Sequence, residues 1–225
     1  VAHDLRTPLN RLRNRLEEMA SRFIAAGRDA EEVERAIAEA DKLIGTFNAL
    51  LLIAETDAGT TRAGMTTLDL GSVAADVVEL YDPVAEERHI SLVMAPPPPI
   101  SIEGNRSLIA QALVNLVDNA IKYTPEGGRV TIAIAHGIAG IDVTVADSGP
   151  GIPAEDRARA VERFVRLEAS RNSPGTGLGL SLVAAVAHFH NAELLLEDSV
   201  PHGLKAVLRF PHGASRTTPV KSAAE

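Results

Sequence analysis

Asn115-Leu116-Val117-Asp118-Asn119-Ala120-Ile121-Lys122-Tyr123 is the stretch on which the reading of this chain turns. It closes a strongly periodic helix predicted from Ser107 to Tyr123. Asn115 and Asn119 lie four apart, so their amides project from one face while Leu116, Val117 and Ala120 face elsewhere. Lys122 and Tyr123 extend that polar edge by a turn. An amide oxygen is a hard ligand suited to Mg2+, which keeps several waters and takes its other ligands from substrate phosphates. The plainer reading is two buried amides tying loops together.

Elements of both kinds surround this helix. Leu70 to Glu87 reads as a helix and His89 to Met94 as a strand, stopped by Pro96 to Pro99. Arg129 to Ala135 and Ile141 to Ala146 alternate like adjacent strands. A helix from Leu178 to about His190 follows, ended by Asn191, which tolerates the left-handed cap conformation. Glu193 to Glu197 and Lys205 to Phe210 finish as a hairpin. Antiparallel-looking strands with helices segregated among them predict an α/β sandwich over 68–212. Residues 213–225, short of apolar groups, are expected to be disordered.

Two glycine clusters flank the charged stretch Ala154 to Pro174. Asp147 follows the apolar run Val143-Thr144-Val145-Ala146 and precedes Ser148-Gly149-Pro150-Gly151. A carboxylate at a strand end can accept a hydrogen bond from an exocyclic amine, and glycines let backbone approach a flat ring. Out of context, an ordinary Asp-Ser-Gly turn would explain the same residues. Gly175-Thr176-Gly177-Leu178-Gly179 leads into a helix, where exposed amides and the helix dipole favour phosphate. No Gly-Lys-Ser/Thr ending is present, and no strand feeds directly into the cluster, so neither the Walker nor the dinucleotide pattern applies.

At the other end, Leu5, Leu9, Leu12, Leu16, Met19 and Phe23 alternate spacings of four and three, as do Val33, Ile37, Ala40, Ile44, Phe47, Leu51 and Ala54. Both segments read as heptad-striped helices turning near Gly27-Arg28-Asp29, a helical hairpin over 1–58. Such narrow stripes close a core when two hairpins form a four-helix bundle, hence a homodimer. The alternative is a hairpin packed on its own chain. Gly, Thr, Ala and Asp dominate the following residues, and 59–67 is read as a linker. His3 falls outside the stripe, with Asp4 beside it and Thr7 one turn on. A carboxylate on one ring nitrogen keeps the other unprotonated and nucleophilic. Pro8 removes a helix hydrogen bond and should bend the helix beside that imidazole.

Composition narrows the partners. A net charge of -8 offers no basic surplus for nucleic acid. The absence of cysteine removes disulfides, thiol nucleophiles and zinc-thiolate sites. No apolar run reaches the roughly 18 residues of a membrane span, so no membrane contact is expected from this sequence. The chain opens at Val1, two residues before His3, and is read as a piece of a longer protein whose sensor or membrane segment lies upstream.

Taken in order, His3-Asp4-Leu5-Arg6-Thr7-Pro8-Leu9, the Asn115–Tyr123 stretch, Asp147-Ser148-Gly149-Pro150-Gly151 and Gly175-Thr176-Gly177-Leu178-Gly179-Leu180 resemble the phospho-acceptor box, N-box and two glycine boxes of bacterial two-component sensor histidine kinases. The resemblance covers nearly the whole chain. It implies a dimerisation and phosphotransfer hairpin followed by an ATP-binding domain, with ATP and Mg2+ as cofactors. His3 would accept the γ-phosphoryl group, Asp4 would be its acid/base partner, and Thr7 would position water when phosphate is removed from the partner protein. Asn119 would hold Mg2+, Asn115 and Lys122 phosphate, Tyr123 the base or ribose, and Asp147 the adenine amino group, with support from Gly149 and Gly151. Gly175, Thr176, Gly177, Leu178 and Gly179 would bind phosphate. Glu162-Arg163-Phe164-Val165-Arg166 resembles the F-box and ATP lid, with Arg166 reaching the γ-phosphate; a solvated charged helix is the plainer reading. The implied partner is the receiver domain of a response regulator, docking near Leu12, Arg13 and Leu16. The implied location is cytoplasmic, with the full protein in the inner membrane.

Two features depart from the family pattern. Asn105 stands where Asp is usual, and Asn191-Ala192 where two glycines are common. Gyrase- and MutL-type ATPases share the nucleotide fold but place a Glu four residues before the metal-binding Asn. Here that position is Asn115, and an amide cannot serve as a general base. A docking module with a degenerate nucleotide site is the other alternative.

Overall fold

In this computed structural model, residues 15–24, 26, 33, 36, 37, 40, 64–162, 165 and 179–211 are described. The chain divides into two compact units, 1–60 and 61–225. In the first, residues 15–24 are helical, as are 33, 36, 37 and 40. Val33 and Ala40 are buried and Ile37 half-buried, on the stripe read from sequence. In the earlier segment Ala20 is buried whereas Met19 is 45% exposed. Leu16, Ala20 and Phe23 share the more buried face, so Leu16 and Phe23 keep their places in the predicted stripe and Ala20 stands between them instead of Met19. The remaining positions of the predicted hairpin lie outside the described residues.

The second unit begins with an element absent from the sequence reading. Strand β1 (Thr66–Asp69) pairs antiparallel with β3 (Ser101–Gly104), with Leu68 opposite Ile102 and both buried. Thr66 and Thr67, read as the end of a linker, are therefore strand. Each strand feeds a helix: β1 enters α1 (Leu70–Glu87) and β3 enters α2 (Arg106–Tyr123). Asp69 caps α1 by accepting from the amides of Gly71 and Ser72, and Asn105 caps α2 by accepting from that of Leu108.

A five-stranded sheet forms the other layer, in the order β2 (Ser91–Met94), β4 (Arg129–His136), β5 (Gly140–Asp147), β7 (Leu204–Pro211), β6 (Glu193–Asp198). Every pairing is antiparallel except β2 with β4, which is parallel. The intervening crossover through β3 and α2 returns the chain in the same direction. Register rows Ile132–Val145–Ala206 and Ile134–Val143–Leu208 lie buried on one face. Against the sheet, α1 packs on β2, α2 on β5, and α4 (Gly179–Phe189) on β6, with α2 between the other two helices. The opposite rows carry cross-strand ion pairs, Arg209 bidentate on Asp142 (2.8 and 2.9 Å) and Lys205 on Glu197 (2.9 Å). A short 3-10 turn (Ala154–Asp156) and α3 (Arg157–Ala160) follow β5.

Helices α1 and α4 end in the same Schellman turn. Ile90 N–H donates to Ala85 O and His89 N–H to Glu86 O, with His89 at φ 53. Likewise Ala192 N–H donates to Ala187 O and Asn191 N–H to His188 O, with Asn191 at φ 52. The predicted strand at His89 therefore starts only at Ser91, because His89 and Ile90 complete the cap. No helix among the described residues is long and apolar enough to cross a membrane.

Candidate functional site

Helix α2 is the spine of the site. Its inner face buries Ile109, Ala112, Leu113, Leu116, Val117, Ala120 and Ile121, which leaves Asn115, Asp118, Asn119 and Lys122 half-buried along the opposite ridge. Asn115 and Tyr123 are about 12 Å apart along the axis, room for a nucleotide laid lengthwise. Asn115 donates its Nδ2 to Gln111 O at 2.8 Å, leaving its oxygen outward. No hydrogen bond from a described residue engages the Asn119 amide.

The start of α4 closes on these amides. A Cβ placed on Gly179 would lie 3.0 Å from Asn119 Nδ2 and 3.4 Å from Asn115 Oδ1. The last glycine of the second cluster thus meets both asparagines of the N-box. A helix start presents backbone amides and the positive end of its dipole, a setting for phosphate. Gly175, Thr176, Gly177, Leu178 and Arg166 lie outside the described residues, as do His3, Asp4 and Thr7. Lys122 extends from the last turn of α2, its Nζ 4.9 Å from the centre of the Tyr123 ring.

Asp147 ends β5 and is buried. Its Oδ1 accepts from Gly149 N–H (2.8 Å) and Leu204 N–H (3.1 Å). The other oxygen takes no hydrogen bond from a described residue, yet no buried side-chain oxygen or nitrogen there lacks a partner. That oxygen is therefore open to solvent or ligand. Burial pushes the carboxyl up from its ordinary range, and the two backbone donors pull partly back. Ser148 is used structurally: its N–H donates to Arg129 O and its Oγ accepts from Arg129 N–H, prolonging the β4–β5 ladder.

Three glycines let this carboxylate be enclosed. A Cβ on Gly149 would lie 2.8 Å from Tyr123 O, so the first glycine cluster abuts the C-terminus of α2. Gly151 lies against Gly203 O, where a Cβ would come to 2.9 Å. Gly203, at φ +121, brings the β6–β7 turn so close that a Cβ would sit 1.9 Å from Asp147 O. Sequence reasoning missed Gly203 and Leu204. Their one signal was a Pro-His-Gly turn between two strands, which does not announce an amide aimed at Asp147.

His190 was also missed. It is buried where α4 ends, accepts Asn105 N–H on Nε2 (3.0 Å), and donates Nδ1–H to Val186 O (2.8 Å). The ring ties the end of α4 to the N-cap of α2, holding together the two helices whose Gly179 and asparagines meet.

Three comparisons bear on this arrangement. Residues 104–214 match the family of histidine kinase-, DNA gyrase B-, and HSP90-like ATPases. The sensor protein IrlS of Burkholderia pseudomallei is 31% identical over 96% of this chain and 46% of its own length. The mycobacterial sensor histidine kinase MprB superposes with a TM-score of 0.58 at 29% identity, over 68% of this chain and 99% of that one. Full-length ShkA, solved in complex with AMPPNP, reaches a TM-score of 0.71 at 26% identity, over 99% of this chain and 46% of that one. The chain spans about half the length of relatives such as IrlS, the sensory kinase SasA and the kinase SenX3. Residues 104–214 thus form an ATP-binding domain of the histidine kinase, gyrase and HSP90 family, in a chain that is similar along nearly its whole length to sensor histidine kinases.

Proposed function

We propose that the chain is the catalytic core of a histidine kinase, which transfers the γ-phosphoryl group of ATP to His3 and then to an aspartate of a response-regulator receiver domain. The observation that carries this reading is the meeting of Gly179 with Asn115 and Asn119 on one ridge of α2, while Asp147 offers an open carboxylate oxygen beyond Tyr123. Asp147 accepts the adenine amino group, and the backbone at Gly149 lies along the ring. Asn115, Lys122 and the start of α4 hold phosphate, assisted by Gly175, Thr176, Gly177 and Leu178. Arg166 meets the γ-phosphate, where a guanidinium stabilises charge as it develops. The likeness to ShkA, crystallised with an ATP analogue, supports the choice of ligand.

Asn119 fits Mg2+ as a single hard ligand whose amide no described residue engages by a hydrogen bond. Among the described residues no cluster of three His, Asp or Glu could hold a metal, so the ion would draw its other ligands from phosphates and water. When bound, it would supply charge neutralisation to the polyphosphate. In the acceptor segment, Asp4 orients the imidazole and draws its proton, His3 attacks phosphorus, and ADP leaves. Thr7 would support the reverse task, positioning water to dephosphorylate the regulator. Residues 1–58 serve as the dimerising hairpin, 59–67 as the link to the catalytic domain, and the regulator docks near Leu12, Arg13 and Leu16. We place the chain on the cytoplasmic side of a membrane-anchored protein.

Asn115 in place of a glutamate disfavours hydrolysis as the main reaction, since its amide cannot take a proton from water. An ATP-binding measurement with Asp147→Asn and Asn119→Ala tests the nucleotide assignment. Unchanged Mg-ATP affinity in both would overturn it.

A further inference from the structure

The last turn of α2 carries Lys122 and Tyr123, and a helix leaves its final four carbonyls without partners of its own. Ala120 O is taken by Thr124, from both N (3.0 Å) and Oγ1 (2.7 Å). Tyr123 O backs onto Gly149. The two between are served from outside the helix: Arg88 donates Nη1 to Ile121 O (2.8 Å) and Nη2 to Lys122 O (3.4 Å). A guanidinium has the planar fork that spans two neighbouring carbonyls, and its charge faces the negative end of the helix dipole.

Arg88 is itself well placed to act as a fixed post. It is the C-cap residue of α1, directly before the Schellman turn at His89. Two further contacts set α1 beside α2 upstream of it. Arg106 pairs with Asp76 near the start of α2, and the Tyr81 hydroxyl lies against the Asp118 carboxylate midway. The register between the helices is therefore defined before Arg88 reaches the last turn. Glu87, His89 and Glu126 line a cavity of about 260 Å³ beside it.

From this geometry we infer that Arg88 is a positioning residue for the nucleotide phosphates, acting through Lys122. By holding the carbonyls of Ile121 and Lys122, it keeps the final turn helical, so the Lys122 ammonium leaves the helix at one fixed point of the ridge. The inference rests on the nucleotide reading above and adds a residue from outside the recognised boxes. It also explains why a phosphate-binding lysine can sit on the terminal turn, where fraying would otherwise blur its position.

The test uses the full chain with Arg88→Ala and Arg88→Lys, titrated with Mg-ATP and separately with adenosine, with backbone hydrogen exchange read on the same samples. Arg88→Ala should weaken Mg-ATP about tenfold, the scale of losing a charge-assisted hydrogen bond, and change adenosine by less than about twofold. Exchange should quicken at 122–124 and not in the sheet. Arg88→Lys, able to reach one carbonyl, should recover part of the ATP affinity. Unchanged ATP affinity in Arg88→Ala would overturn the inference. So would equal losses for ATP and adenosine with faster exchange throughout, the mark of general scaffolding. If the unaltered chain bound neither ligand, the nucleotide reading itself would fall, a result distinct from either of these.

Discussion

The two ends of the proposed nucleotide site are built on opposite principles. At the base end, Asp147 is enclosed by backbone: two amides fix one oxygen, and Gly149, Gly151 and Gly203 admit main chain at distances no side chain would allow. At the phosphate end, Asn115, Asn119 and Lys122 are half-buried side chains on a ridge, directed among the described residues by the geometry of α2, which Arg88 holds at its last turn, and by the approach of Gly179. The difference follows the chemistry. An adenine edge is flat and invariant, so recognition gains from a fixed acceptor. Phosphates and a hydrated cation must be held while a bond is made and broken, which suits groups that can adjust. Changes at the base end should therefore register in the fold or in all nucleotide binding, and changes at the phosphate end mainly in phosphate-dependent steps.

The sharpest way to break this contrast is Gly203→Ala. Its Cβ would meet Asp147 O at 1.9 Å, from a φ of +121 that alanine resists. We expect a loss of about 3 kcal/mol in unfolding free energy, read by denaturant titration. A loss below about 0.5 kcal/mol, the size of an ordinary surface change, would mean that the turn yields and the base end is not rigid.

Asp147→Asn separates binding from stability. Adenine binding should weaken about a hundredfold, since the amide retains the two backbone donors but turns an NH2 toward the ligand. Stability should behave differently. Burial raises the carboxyl's pKa in the fold, so the ionised form is disfavoured there and stability falls as pH rises through the carboxylate range. The asparagine variant should thus melt at or above the wild-type temperature at pH 7, and lose that advantage as the pH falls below the ordinary carboxylate range, where the wild-type group is protonated in folded and unfolded chain alike. A variant less stable at pH 7 than at pH 4, relative to wild type, would contradict the sign.

Gly179→Ala probes the softer end and should have the smallest effect. The clash falls on the tip of the Asn119 side chain, which can swing aside. Thermal stability should barely move, while Mg-ATP affinity drops about fivefold, on the order of 1 kcal/mol. A large stability loss instead would show that the phosphate end is as tightly packed as the base end.

Much of this arrangement was legible because its signals are periodic. α2, predicted from Ser107, runs from Arg106 to the same Tyr123, since its apolar face repeats over five turns. The strand around Val143 alternates because one face is buried, while the one around Leu208 is marked by its apolar run, with Val207 buried on the face opposite Ala206 and Leu208. β1 and β3 were not legible: four residues are too few to show a period, and one lies in a Gly- and Thr-rich segment while the other follows four prolines. His89 in the left-handed conformation was missed for a related reason, because a non-glycine cap has no compositional mark, whereas Asn191 has one. Of the site, the asparagines, Asp147 and the glycines carry their chemistry in their spacing. The contributions of Leu204, His190 and Arg88 come from backbone atoms or long-range contacts, which spacing along the chain does not encode.

The most direct test of the central proposal is incubation of the chain with γ-labelled ATP and Mg2+, beside His3→Gln and Asn119→Ala. We predict an acid-labile, alkali-stable label on the unaltered chain that is absent from both variants. Steady phosphate release persisting in His3→Gln, with no label on the protein, would contradict the kinase assignment and point to an ATPase.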